Sequence, residues 1–239
     1  MRTLAVDIGG SKIKAMVLDP EGNPVTERER KKTPQPATPD AVLGVILELA
    51  SHLGDFDRVS VGFPGAVRNG VIETAPNLDP SWYRVDLQTE LAGRLGRPAR
   101  VANDATVQGY GAVTGQGVEL VLTLGTGLGA TLFLEGRPLP NFELAHHPFL
   151  HGKTYEELLG RKALERDGKK KWNQQVEKAL AQLYRLFYYD SVAIGGGNTE
   201  HLTIELPANA RIIPNISGIL GGVRLWEMDE RDAGVPVAV

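Results

Sequence analysis

Two glycine-rich turns, each preceded by a short apolar run, constrain this chain more than anything else in it. Leu4-Ala5-Val6-Asp7-Ile8 leads into Gly9-Gly10-Ser11, and a run ending at Leu124 leads into Gly125-Thr126-Gly127-Leu128-Gly129. An offset of 116 residues lays one on the other, with Leu4 on Leu120, Val6 on Leu122, Ile8 on Leu124 and Gly9 on Gly125. The match continues through Ala15 on Thr131, Val17 on Phe133 and Leu18 on Leu134. Both copies read as apolar strand, glycine turn, second strand, polar turn. The offset is close to half of the 239 residues, so a duplicated domain is the economical reading, each half burying its own sheet.

The remaining pattern gives the class as α/β. Lys12 to Asp19 reads as a strand with Ile13, Ala15 and Val17 on one face, and Glu21-Gly22-Asn23-Pro24 as a turn. The basic run from Glu27 to Lys32 and the proline-rich stretch after it lead into a helix. Its expected N-cap is Thr38, with Pro39 at the first helical position and Leu43, Ile46, Leu47 and Ala50 on its apolar face. Val59 to Phe63 and Ser191 to Ile194 read as buried strands, Gln174 to Tyr188 as a helix, and Ile216 to Trp226 as a closing helix. The tail from Asp229 to Val239 is expected to be weakly ordered.

Composition removes several classes of function. With no cysteine, the chain has no disulfide, thiolate metal site or cysteine nucleophile, and a reducing compartment is permitted. A net charge of −3 argues against binding nucleic acid through bulk positive charge. No apolar run approaches the ~18 residues of a membrane span. Met1-Arg2-Thr3 runs directly into the first strand, so no signal peptide is expected. Glycine is the one excess, 28 residues against a usual share of ~7%.

Certain positions carry chemistry. Asp7 at a strand end before two glycines suits backbone N–H contacts to an anion, with the carboxylate holding Mg²⁺ through water. The turn at Gly125 to Gly129, with the Thr126 hydroxyl, suits a phosphate cradle, although neither turn is a P-loop. Asn103-Asp104 at a strand end can place a general base, and can equally be a helix N-cap, the reading favoured in isolation. Glu143, His146, His147 and His151 cluster closely. Without a thiolate they are expected to bind no structural zinc, and Glu143 with His146 suits a pair of sugar hydroxyls. Arg28, Arg30, Lys31 and Lys32 form one basic cluster, and Arg161, Lys162, Arg166, Lys169, Lys170 and Lys171 a second. Solvated surface is the default for both, and either could follow a polyanion.

Asp7-Ile8-Gly9-Gly10-Ser11 with Lys14 resembles the first phosphate motif of the ROK family of sugar kinases, and Leu124 to Gly129 resembles the second. Gly195-Gly196-Gly197-Asn198 resembles the family's nucleotide-edge loop, and Gly218 to Val223 its closing helix. Phe63-Pro64-Gly65, Thr74 to Trp82, and Val121 through Pro140-Asn141 are similar to the branch made up of polyphosphate glucokinases and glucomannokinases. The resemblance implies an actin-like/hexokinase (ribonuclease H-like) fold, duplicated as domains 1–105 and 106–239 with a cleft between them. It implies phosphoryl transfer from polyphosphate or ATP, with Mg²⁺, to the 6-hydroxyl of glucose. The alternatives are an ATP-only kinase for another hexose and a catalytically silent sugar-binding protein.

Under this resemblance Asp104 is the base, and Gly65, Asn77, Asn103, Glu143, His146 and Glu156 hold the sugar, with Glu157 a competitor for the last place. Asp7, Gly9, Gly10, Ser11, Lys14, Thr126, Gly127, Gly196 and Gly197 meet phosphates or nucleotide, and Asp7 lies near Mg²⁺. A cytoplasmic homodimer without nucleic-acid or membrane partners is also implied. The chain departs from the family at Ala145, which replaces a glycine before His146 and could shift that histidine or narrow the pocket.

Overall fold

The computed structural model describes residues 1–139, 142–214 and 217–227. Positions 140 and 141, residue 216 at the start of the expected closing helix, and the tail from 229 lie outside them. The chain forms two compact units, residues 1–111 with 217–227, and residues 112–214.

The first unit begins with β1 (Thr3–Ile8), β2 (Lys12–Leu18), β3 (Glu29–Lys32), α1 (Pro39–His52) and β4 (Arg58–Phe63). The hairpin β5 (Val67–Arg68) and β6 (Val71–Ile72), then α2 (Leu87–Leu95), β7 (Ala99–Asn103) and α3 (Asp104–Tyr110) follow. Its five-stranded sheet has the order β3-β2-β1-β4-β7. Strand β1 runs antiparallel to β2 and parallel to β4, which is parallel to β7. One face is apolar: Leu4, Val6, Ile8, Ile13, Ala15 and Val17 pack with Val42, Leu43, Ile46 and Leu49 of α1. Each fully buried Leu, Ile or Val among them is worth about 1.5–3 kcal/mol, which is why α1 holds to this face. Thr38 occupies the N-cap as expected but makes no side-chain capping bond, leaving Pro39 to set the first turn.

In the second unit come β8 (Val118–Leu124), β9 (Leu128–Leu134), β10 (Arg137–Pro138), the small hairpin β11 (Pro148–Leu150) and β12 (Lys153–Thr154), and α4 (Tyr155–Leu159). They are followed by α5 (Arg161–Phe187), β13 (Ser191–Gly195) and β14 (Ala210–Ile212). The sheet order is β10-β9-β8-β13-β14. Strand directions repeat those of the first sheet, β8 antiparallel to β9 and parallel to β13, which is parallel to β14. The offset of 116 lays β2 on β9 residue for residue.

Three expectations need correction. The basic run from Glu27 to Lys32, given no element of its own in the sequence reading, contains the edge strand β3 at Glu29–Lys32. The first domain does not end at 105, since α3 through Gly111 belongs to it. Nor does everything after residue 105 lie in the second. The closing segment is α6 (Ser217–Leu220) followed by a 3-10 stretch, Gly221–Trp226, and it belongs to the first unit. Ile219 and Val223 cover Ala5, Met16 and Leu18 on the sheet face opposite α1. Ser60 Oγ donates to the Gly222 carbonyl at 2.6 Å, and Trp226 Nε1 donates to Ser60 Oγ at 2.8 Å. The Arg58 and Arg100 guanidinium groups lie over the Trp226 ring at 5.1 and 4.9 Å.

Candidate active site

Parallel strands place their C-terminal ends on one edge of a sheet, where open α/β sheets collect ligands. In the first unit β1, β4 and β7 end there, with Asp7 beside Gly62, Gly62 beside Ala102, and Phe63 beside Asn103. Adjacent strands lie ~4.8 Å apart, so the Asp7 and Asn103 rows are within about 10 Å. Topology thus brings Asp7, the first glycine turn, Gly65 and Asn103-Asp104 to one edge.

The first turn is closed by Gly9 N donating to the Lys12 carbonyl at 3.0 Å. Thr33 braces it from outside, with Oγ1 donating to the Gly9 carbonyl at 2.5 Å and N donating to the Ser11 carbonyl at 3.1 Å. Lys14 Nζ donates to Asp7 Oδ2 at 2.7 Å. A Cβ built on Gly10 would stand 3.4 Å from Asn77 Cβ, so the Asn77 loop borders this turn. That loop is anchored by Trp82, fully buried, which donates through Nε1 to the Ala37 carbonyl at 2.8 Å and packs on Phe63 with ring centroids 4.9 Å apart.

Of the two residues, Asn103 takes the helix-cap role. Asn103 is the N-cap of α3, its Oδ1 accepting from Ala105 N at 2.9 Å and Thr106 N at 3.2 Å. Its Nδ2 donates to the Gly65 carbonyl at 3.0 Å. Most of the Asn103 side chain is therefore committed to holding the fold. Asp104 is the first helical residue, half-buried, with Oδ1 accepting from Ala105 N at 2.8 Å. Gly65 lies against the Thr74 backbone, and any side chain there would run into the Thr74 carbonyl.

The second turn sits at the equivalent edge of its own sheet. Gly125 N donates to the Gly127 carbonyl at 3.0 Å, and Asn198 Nδ2 donates to the Gly125 carbonyl at 2.8 Å. Arg161 N, at the start of α5, donates to the Gly125 and Thr126 carbonyls at 3.0 and 3.2 Å. Gly196 has φ of 92°, and a side chain on it would run into the Leu124 carbonyl. Gly196 and Gly197 thus border the turn. Thr126 is exposed.

Glu156 and Glu157 are separated by their partners. Thr154 and Glu157 form a capping box for α4, with Glu157 N donating to Thr154 Oγ1 at 3.2 Å and Thr154 N donating to the Glu157 carboxylate at 2.8 Å. Those bonds, the Thr154 backbone N–H first, hold the Glu157 carboxyl below its ordinary range. Glu156 instead lies against Gly127, with Oε2 3.4 Å from Leu128 N. Glu143 Oε2 is 3.8 Å from His146 Nε2, both groups partly exposed. Ala145 is buried in a 3-10 turn without a left-handed backbone, so its methyl group is accommodated without strain. His147 and His151 are exposed, and His151 sits at the β11–β12 turn.

Among the described residues, no group of three or more His, Asp or Glu side chains is placed to hold a metal ion. Asp7 alone, with one oxygen engaged by Lys14, fits a hydrated Mg²⁺ that arrives on phosphates rather than one caged by protein. The bracing roles of Thr33 and Arg161 escaped the sequence reading because both reach turn carbonyls far away in sequence, contacts that leave no periodic pattern.

The repeated sheet topology is that of the actin-like/hexokinase fold, and solved ROK kinases share it. A polyphosphate/ATP-glucomannokinase from Arthrobacter sp. strain KM superposes with a TM-score of 0.85 and 32% identity over 94% of this chain and 97% of that one. A ROK family glucokinase from Streptomyces griseus, solved with glucose and AMPPNP, gives 0.76 and 21% identity over 94% and 99%, a likeness of fold. Residues 3–140 match the ROK family, and the chain belongs to it. The polyphosphate glucokinase of Mycobacterium tuberculosis is 32% identical over 90% of this chain and 88% of its own length.

Proposed function

We propose that the chain is a glucokinase taking its phosphoryl group from inorganic polyphosphate or ATP. The observation that carries this is likeness at nearly full length to two enzymes named for that chemistry, the mycobacterial polyphosphate glucokinase and the Arthrobacter glucomannokinase. In this reading Asp104 takes the proton of the glucose 6-hydroxyl. Gly65, Asn77, Asn103, Glu143, His146 and Glu156 hold the sugar. The division of labour at β7 supports Asp104 as base, because its neighbour Asn103 already supplies the helix cap.

Gly9, Gly10, Ser11 and Lys14 receive donor phosphates, as do Thr126 and Gly127, with Gly196 and Gly197 alongside. Asp7 holds the divalent cation, Mg²⁺ in this reading, through water. The ion supplies charge neutralisation on the transferring phosphate. Lys14, bound to Asp7, keeps that carboxylate in place.

The protein is further proposed to be a cytoplasmic homodimer. Tyr184 and Tyr188, exposed at the end of α5 with ring centroids 5.8 Å apart, offer an apolar surface of the sort a second copy covers. Light scattering should return about twice the chain mass. The decisive experiment for function is a coupled assay of glucose 6-phosphate formation, with ATP and polyphosphate offered separately. Turnover with both is expected, and no turnover of glucose with either would overturn the reading.

A further inference from the structure

Strand register sorts the basic residues around the first turn onto two faces. In the β2–β3 ladder Lys12 stands opposite Lys32, and Lys14 opposite Arg30. Cross-strand partners share a face, as do residues two apart along a strand. Lys12, Lys14, Arg30 and Lys32 therefore project from one face, the Asp7 face, since Asp7 pairs with Lys14 across β1–β2. Rows about 7 Å apart along the strands and about 5 Å across make this a compact patch of four cations against one carboxylate.

The patch begins at the phosphate turn. Lys12 follows Ser11 directly, and Lys32 precedes Thr33, whose two hydrogen bonds brace that turn. Lys12, Arg30 and Lys32 are exposed, and among the described residues none of the three makes an ion pair.

In the rest of the two basic clusters, Lys31, Arg166 and Lys171 are held in ion pairs. Lys31 points to the opposite face and pairs with Glu48. On α5, Asp167 accepts from Arg166 Nε at 2.9 Å and Nη2 at 2.7 Å, and Lys171 lies 3.7 Å away. The hydrogen bonds from Arg166 are the chief cause of an Asp167 pKa lowered to about 2.

We propose that Lys12, Arg30 and Lys32 form a track for linear polyphosphate beyond the reacting phosphoryl group. The inference rests on the donor assignment above and deepens it. ATP carries three phosphates and then a nucleoside, so it offers no chain to reach along β2 and β3. A long polyphosphate continues past the turn and meets Lys12 and Lys32 first, then Arg30. These contacts lie away from the bond being broken, so they contribute binding of long donors rather than the chemical step.

The test compares K12Q/R30Q/K32Q with wild type and with K169Q/K170Q/K171Q, using long-chain polyphosphate, tripolyphosphate and ATP as donors. All these side chains are exposed, and thermal melts report whether each variant is folded. The track variant should raise the KM for long polyphosphate roughly tenfold more than the KM for ATP or tripolyphosphate. Its binding of long polyphosphate should lose about 2 from the slope of log affinity against log salt, since three cations no longer release counterions. The α5 variant should match wild type.

An unchanged polyphosphate KM in the track variant overturns the proposal, as does an equal rise in the α5 variant. Equal competition by single-stranded DNA of matched charge overturns it too, by making the patch a general polyanion surface. Wild-type turnover with ATP and none with polyphosphate would instead overturn the donor assignment itself, a result visible before any variant is made.

Discussion

Asn103 donates from its side-chain amide to the Gly65 carbonyl at 3.0 Å while its Oδ1 caps α3, so one side chain ties the loop after β4 to the helix that begins with Asp104. Removing Asp104 and removing Asn103 should therefore fail differently. Asp104→Asn keeps the shape but cannot accept a proton, and kcat should fall ~10²–10⁴-fold with glucose affinity near wild type. Asn103→Ala loses the cap and the tie, costing about 0.5–2 kcal/mol of stability and weakening glucose binding. Steady-state kinetics with isothermal titration separate the two, and an Asp104→Asn enzyme within threefold of wild-type kcat would reassign that residue.

Gly65 cannot take a side chain without displacing the Thr74 backbone, whereas a methyl at Gly93 in α2 would meet nothing within 4 Å. Gly65→Ala should cost about 1–3 kcal/mol, lowering Tm by roughly 2–12 °C, and should raise the KM for glucose. Gly93→Ala should be neutral or stabilise by about 0.4–1 kcal/mol. Calorimetry on the pair checks this, and equal Tm values for both variants would contradict the close approach at Gly65.

Glu156 and Glu157 are neighbours with separate expected phenotypes. Glu156→Gln should raise the KM for glucose roughly tenfold or more, the weight of a hydrogen bond to a charged group. Glu157→Ala breaks the capping box and should lower Tm, with glucose KM unchanged. Kinetics and melting curves measured on both variants decide which glutamate serves the sugar.

Glu119 is 2% exposed, and its carboxylate accepts from Gly115 N at 2.7 Å and Thr114 N at 2.8 Å. Burial is the largest single influence and raises its pKa, but the backbone hydrogen bonds and that from the Thr114 hydroxyl together outweigh it and hold the carboxyl below its ordinary value. A depressed folded pKa gives stability that is present above the unfolded value of ~4.3 and lost as pH falls through the folded one. The Tm gap between wild type and Glu119→Gln should be wide at pH 7 and narrow below about pH 4. A gap constant from pH 7 to pH 3 would show that the charge is irrelevant there.

Much of this was legible because the relevant signals are periodic or local. The apolar run Leu4 to Ile8 and the alternation in Lys12 to Leu18 marked the hairpin, and its echo from Leu120 to Leu134 marked the second sheet. Strand β3 was hidden because its residues, Glu29 to Lys32, are all charged: each side chain reaches past the sheet to solvent or an ion pair, so no apolar alternation is needed. The return of residues 217–227 to the first sheet was hidden for a different reason. Ile219 and Val223 are apolar at helical spacing whichever unit they cover, and only the fold reveals that Ala5, Met16 and Leu18 lie beneath them. At the site, the place of Asn103-Asp104 at a strand end before a helix was readable. The assignment of the cap to Asn103 required seeing which oxygen faces the helix N–H groups.

The segment that covers Ala5, Met16 and Leu18 is made about two hundred residues after them. On a translating ribosome the first sheet emerges with that face bare, and it stays bare while about a hundred further residues are added, roughly 5–20 s at usual elongation rates. During that interval the nascent chain carries an apolar patch whose own lid does not yet exist. Chaperone dependence in this protein should therefore concentrate on the newly made N-terminal region, and it should end abruptly once the Gly221–Trp226 stretch clears the exit tunnel.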